Sequence, residues 1–220
     1  MRVAIFDFDG TLYKKETFPL FMEVLKNHPT YGVRYKRFFR SILLPYFSYK
    51  LKLYPERKMK YDLMQRYVRA LDGLTKDEIN TFFQQIAEQM EGDFNETVVA
   101  ALNEHAKDGL YVMIVSGAFT PLLHIMAKKF PVDQTIGTKL HYDAGRLNSS
   151  RHIDHVQEER KVELINEVLQ REEVDWENSF AYGDSFADVP VLNLVGNPVA
   201  VAPDEQLKHH ALKHEWNLIE

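Results

Sequence analysis

There is no cysteine in the 220 residues. Its absence excludes a disulfide framework, a thiolate nucleophile and any zinc site built on thiolates. No apolar run approaches the roughly 20 residues needed to cross a bilayer. The N-terminus carries no leader-like pattern, because a strand-like run begins at once. These absences set the expectation of a cytoplasmic protein. Charge is spread unevenly along the chain. Between Tyr31 and Lys60 the sole acid is Glu56, against nine lysines and arginines, while the whole chain carries a net charge of −5. A net negative chain argues against a nucleic-acid binder.

What is present begins with Ile5-Phe6-Asp7-Phe8-Asp9-Gly10-Thr11. Val3 to Phe6 is a short apolar run and reads as a buried strand. Residues two apart in an extended chain share a side, so Asp7 and Asp9 can face one pocket. Gly10 allows a sharp turn after them. Two acids this close repel unless a cation lies between them. Mg²⁺, a hard ion held by carboxylates, suits the position. An ordinary strand followed by an Asp-Gly turn explains the same letters, and the rest of the chain must decide.

Thr17 is placed to cap a helix running through Phe21 and Leu25. Residues 30 to 92 read as helical, with Tyr35, Phe38, Phe39 and Ile42 forming one stripe. Thr75 and Glu78 have the spacing of a capping box. Leu110 to Val115 is the second buried strand, expected to stop at Ser116-Gly117-Ala118. A third strand is expected near Val132 to Ile136, and a small hairpin through Asp143-Ala144-Gly145. Glu158 to Arg171 reads as an amphipathic helix. Ser179 to Tyr182 is a strand ending in Gly183-Asp184, with Asp188 four residues on, and Pro198 to Ala202 is the last strand. Alternating strands and helices imply a parallel sheet covered on both faces, and such sheets bind ligands at the strands' carboxyl ends. The polar groups Asp7/Asp9, Ser116/Gly117 and Asp184/Asp188 all fall there.

DFDGT, VSGA, a lysine opening a helix and GDSFAD, in that order, resemble the four motifs of the haloacid-dehalogenase-like (HAD) phosphohydrolases. The likeness runs along nearly the whole chain. It implies a Rossmannoid three-layer α/β/α fold with a helical C1 cap inserted after the first strand, as in the subfamily IB that contains phosphoserine phosphatase. The core is expected at 1–15 and 93–220, and the cap at 16–92. The resemblance implies a Mg²⁺-dependent phosphomonoesterase. Asp7 resembles the nucleophile that forms an aspartyl-phosphate. Asp9 resembles the general acid and then base, and also offers its backbone oxygen to the metal. Ser116 and the Gly117 N–H resemble the donors to the phosphoryl group. Lys161 resembles the cation that offsets transition-state charge, with Arg160 beside it as the rival base. Asp184 resembles a direct metal ligand, and Asp188 one that acts through water or orients the site.

The substrate implied is a small phosphorylated metabolite. Glu16 stands where phosphoserine phosphatases bind the substrate's amino group, but Gly10 and Ala187 depart from their usual Ser and Asn. A substrate-binding arginine of the cap has no clean counterpart, Arg66 being the nearest. Transfer to a second acceptor, as in a phosphotransferase or mutase, and a silent phospho-ligand binding protein are the rival readings. The basic, aromatic segment after Tyr31 reads either as a solvated outer face or as a surface for an anionic group or membrane.

Overall fold

Val3–Phe6 is buried along its whole length, as expected of a strand packed on both faces. The computed structural model describes residues 1–220. In chain order the strands are β1 (Val3–Phe6), β2 (Tyr111–Phe119), β3 (Gln134–Thr138), β4 (Tyr142–Asp143), β5 (Arg146–Leu147), β6 (Phe180–Gly183), β7 (Asn197–Val201) and β8 (Asn217–Ile219). The helices are α1 (Thr17–Asn27), α2 (Gly32–Lys50), α3 (Glu56–Ala70), α4 (Lys76–Glu88), α5 (Glu96–Lys107), α6 (Thr120–Ala127), α7 (Glu159–Leu169), α8 (Val189–Leu192) and α9 (Glu205–Lys213). The chain divides into two units. One comprises Met1–Thr17, Ala87–Thr138 and Val156–Glu220, and the other Phe18–Ile86 and Lys139–His155.

The first unit is built on a six-stranded sheet of order β3-β2-β1-β6-β7-β8, with every pair parallel. It is the expected α/β architecture. The register Phe6↔Ile114 and Phe6↔Tyr182 sets the carboxyl ends of β1 and β6 beside Ile114, two residues before Ser116 in β2. Ile5, Val115, Ile165, Leu192 and Ala200 form part of one buried cluster beneath them. Phe6 stacks on Tyr182 at 4.5 Å, and the Tyr182 hydroxyl lies 2.8 Å from His105 Nε2. Burial pushes the Tyr182 phenol up to about 12. Asn95 caps α5 through the Val98 N–H, and Asp204 caps α9 through the Leu207 N–H. Lys14 N–H bonds the Asp93 carbonyl at 2.9 Å and Asn95 N–H the Leu12 carbonyl at 3.0 Å, tying these two stretches side by side.

The second unit has an aromatic core. Tyr67 meets Phe38 edge-on at 5.5 Å and lies tilted against Phe21 at 5.7 Å, and Phe21 meets Phe83 edge-on at 5.7 Å. Edge contacts of this kind place the positive rim of one ring against the negative face of the next. The buried Tyr67 hydroxyl donates to the Phe21 carbonyl at 2.8 Å. The Thr75/Glu78 capping box forms in full, with both reciprocal bonds present.

Three features differ from the sequence expectation. The second strand continues through Ser116-Gly117-Ala118 to Phe119, because its register against β3 shifts between Val115 and Phe119 and absorbs the irregular residues. β8 adds an edge strand too short to carry a periodic signal. The hairpin β4–β5 falls with the helices of the second unit, not with the sheet. Gly73 N–H bonds the Leu147 carbonyl at 2.9 Å and Leu147 N–H the Leu74 carbonyl at 2.7 Å, so long-range pairing decides its place.

Candidate active site

Asp7 follows β1 directly, and its N–H is held by the Tyr182 carbonyl at 2.9 Å. Its buried carboxylate accepts from Lys161 Nζ at 2.5 Å. The same ammonium donates to Asp188 Oδ1 at 2.7 Å. Lys161 lies in the first turn of α7 and is 6% exposed, so its charge is spent on these two acids rather than on solvent. Arg160 turns the other way, to Glu163 at 2.7 Å. The neighbouring bases thus separate cleanly, and Lys161 is the one in the site.

Asp188 Oδ2 accepts from the backbone N–H and hydroxyl of Ser185, at 3.3 and 3.2 Å. This closes a reciprocal capping box around the short 3-10 turn Phe186–Asp188. Asp184 accepts from the buried Thr11 hydroxyl at 3.3 Å. Gly10 lies against that carboxylate with φ +74°, and a Cβ there would collide with it. Glycine is required twice over, by conformation and by contact.

Asp7, Asp184 and Asp188 each bring a carboxylate oxygen within 4.8 Å of the others. Burial, followed by the opposing pull of Lys161 and the push of Asp188, leaves Asp7 raised to about 7. Burial and the charges of Asp7 and Asp188 raise Asp184 to about 8. Burial opposes the charge on Lys161, but Asp188 and Asp7 outweigh it and hold the ammonium above its ordinary value. One cation among three acids leaves a deficit of positive charge. An all-oxygen donor set of this kind fits a hard divalent cation.

Asp9 is directed elsewhere. Its carboxylate accepts the Thr17 N–H at 3.1 Å and the Thr17 hydroxyl at 3.0 Å. The expected capping role of Thr17 is therefore inverted: Asp9 receives the first free N–H of α1, and Thr17 orients Asp9. Burial, then Glu16 and Asp7, raise Asp9 well above the carboxylate range. Glu16 is exposed and acts here through its charge. Ser116 is buried, and its oxygen accepts the Ala118 N–H at 3.0 Å, leaving its proton to donate elsewhere. The Gly117 carbonyl accepts from the Thr138 hydroxyl at 2.7 Å. Arg66 is not free to act alone, since it donates to the Ser41 carbonyl at 2.9 Å. Thr11 and Thr17 were not singled out as site residues in the sequence, although Thr11 ends the DFDGT motif and Thr17 stands one residue after Glu16.

Fold and site define the class: a parallel α/β protein whose acids and one lysine gather at the carboxyl ends of adjacent strands. The family model of haloacid dehalogenase-like hydrolases matches residues 4–193. The chain belongs to that family. It is 27% identical over 125 residues to the inhibition of morphological differentiation protein of Streptomyces azureus, covering 57% of this chain and 45% of that one. It is 27% identical over 104 residues to a phosphoserine phosphatase of Lactococcus lactis, covering 47% and 48%. The solved structure of a protein of unknown function from Bordetella pertussis superposes with a TM-score of 0.82 at 20% identity, covering 100% and 98%. The chain spans less than half the length of the first curated relatives it matches. No helix is long and apolar enough to cross a membrane.

Proposed function

We propose that this chain is a phosphatase that hydrolyses a small phosphomonoester through an aspartyl-phosphate, in the cytoplasm. The observation that carries the reading is the buried Asp7–Lys161–Asp188 chain at 2.5 and 2.7 Å, with the Asp184 carboxylate beside it. In this reading Asp7 Oδ attacks phosphorus and the bond to the leaving oxygen breaks. Asp9 gives its proton to that oxygen, and its raised pKa suits the task. Asp9 then takes a proton from the water that attacks the phosphoryl group and frees Asp7. Lys161 offsets the negative charge that gathers on Asp7 and the phosphoryl oxygens, and Asp188 keeps its ammonium aimed. Ser116 and the Gly117 N–H hold phosphoryl oxygens. Asp7 and Asp184, with the Asp9 backbone oxygen, would hold Mg²⁺, and Asp188 would orient it. Bound there, the ion supplies charge neutralisation and a template for in-line transfer.

The phosphoserine phosphatase relative supports a phosphoserine-like ester among the small metabolites. Glu16, whose charge lies beside Asp9, is a place where the choice of substrate would be made. Turnover of p-nitrophenyl phosphate with Mg²⁺, lost in Asp7→Asn, tests the chemistry, and a screen of phosphorylated metabolites tests the substrate. Transfer to an added alcohol in place of phosphate release would move the reading to a phosphotransferase. Absence of turnover on every ester would leave a phospho-ligand binding protein.

A further inference from the structure

Seven of the eleven large hydrophobic residues exposed on the protein lie between Val33 and Leu53. They are not scattered. Val33, Arg37, Arg40, Leu44, Phe47 and Leu51 follow alternating spacings of four and three, which align on one face of a helix. Val33, Leu44 and Leu51 are 78%, 77% and 70% exposed. Single exposed apolar residues are ordinary, but Leu44, Phe47 and Leu51, successive on one face along the end of α2, make a contiguous apolar strip of the kind that marks a contact surface. The row is interleaved with cations and meets no acid before Glu56.

A second observation lies beside it. α2 and α3 enclose a cavity of about 550 Å³ lined by Arg34, Arg37, Arg66 and Arg69, with Phe38 as an apolar wall. Arg34 donates to the Ala70 and Asp72 carbonyls, and Arg66 to the Ser41 carbonyl. Neutral carbonyls fix these groups without cancelling their charge. Arg66 has Asp62 at 4.0 Å, and Asp72, the one acid of the lining, already accepts the Ser149 N–H. Arg37 and Arg69 make no ion pair. Four guanidinium groups around one cavity repel unless an anion enters, and planar guanidinium forks match phosphate oxygens.

We propose that the α2 face seats on an anionic lipid surface, with the arginine-lined cavity receiving a headgroup phosphate. The apolar row decides the occupant. A soluble phosphate accounts for the arginines but gives Leu44, Phe47 and Leu51 nothing to cover them. A bilayer interface takes both, with apolar side chains among the upper acyl chains and cations among the headgroups. The proposal does not depend on turnover at Asp7.

The test is co-sedimentation with phosphatidylcholine vesicles, with and without phosphatidylglycerol, in low and high salt. Binding to the anionic vesicles, weakened by salt, is expected. Arg37→Gln with Arg40→Gln should reduce partition about 25-fold, at about fivefold per basic residue. Leu44→Ser with Phe47→Ser should reduce it by more than about tenfold. Arg69→Gln should weaken phosphatidylglycerol binding, and inorganic pyrophosphate should compete. Unaltered thermal midpoints show that the variants fold, and the salt dependence of the unmodified protein stands if they do not. The idea is overturned by absence of sedimentation, or by equal binding to phosphatidylcholine alone that ignores the arginines. Pyrophosphate binding without vesicle binding, which makes the cavity a soluble-anion site, also overturns it. So does self-association lost in the Leu44/Phe47 variant, which makes a second copy the occupant.

Discussion

Arg66 donates to the carbonyl of Ser41 at 2.9 Å, and Ser41 stands four residues before Pro45 inside α2. Proline has no N–H, so that carbonyl loses its helical partner. The guanidinium supplies the missing donor from α3. Arg66→Met should therefore lower stability by about 1–3 kcal/mol. In a Pro45→Ala background the helix regains its own N–H, and the same change should cost less. Urea unfolding of the four proteins measures the coupling; strictly additive losses would show that the two features are unrelated.

The acids make metal-free stability depend on pH in an unusual direction. Asp7 and Asp184 rise from 3.8 to about 7 and about 8 in the fold. Between these limits the native state binds more protons than the unfolded chain, so stability falls as pH rises. The contribution is fully present below about pH 4 and is lost as pH passes 7 to 8. With chelator, the thermal midpoint should decline from pH 5 to 8. Asp184→Asn should flatten the decline, raise the midpoint at pH 8 and remove stabilisation by Mg²⁺. A midpoint that climbs over this range in the metal-free protein would contradict the assignment.

Lys161 is the sole cation bonded to Asp7 and Asp188. Lys161→Met should lower metal-free stability at pH 8 by about 3–5 kcal/mol, because it strands buried charge. It should also cut turnover by about 100-fold or more. Arg160→Gln, which loses ion pairs to the exposed Glu163 and Glu167, should change stability by no more than about 1 kcal/mol. Chemical unfolding and steady-state rates separate the two; similar effects at both positions would refute the assignment of Lys161.

Gly10→Ala should fold and yet bind Mg²⁺ poorly. The new methyl group meets the Asp184 carboxylate and adds strain at φ +74°. Titration calorimetry should find affinity down by about tenfold or more, since roughly 1.4 kcal/mol of displacement suffices. Unchanged affinity would mean that Asp184 does not hold the ion.

Asp7, Lys161 and Asp184 were legible in the sequence because each sits at a strand or helix end inside an ordered motif. The sheet was legible because its buried strands are continuous apolar runs. The partners of Asp9 were not, since Thr17 reads as a cap until the turn after Gly10 fixes which side chain meets which N–H. Arg66 was read in the sequence as the nearest counterpart of a substrate-binding arginine; its tie to Ser41 spans 25 positions and depends on how α2 and α3 pack. Nor could the letters place residues 139–155, because bonds across long sequence distances hold them: Leu147 pairs with Gly73 and Leu74, and the Gln65 amide meets Ser149, Arg151 and Ile153.

That hairpin has a consequence in time. Gly73 and Leu74 find their partners in Leu147, a residue translated roughly 70 positions later. At about 5–20 residues per second the interval is on the order of ten seconds. Throughout it, α1 to α4 leave the ribosome with one seam of their unit still open. A nascent chain arrested once α4 has cleared the ribosome should be cut by protease at Gly73–Leu74, and one arrested once His155 has cleared it should not.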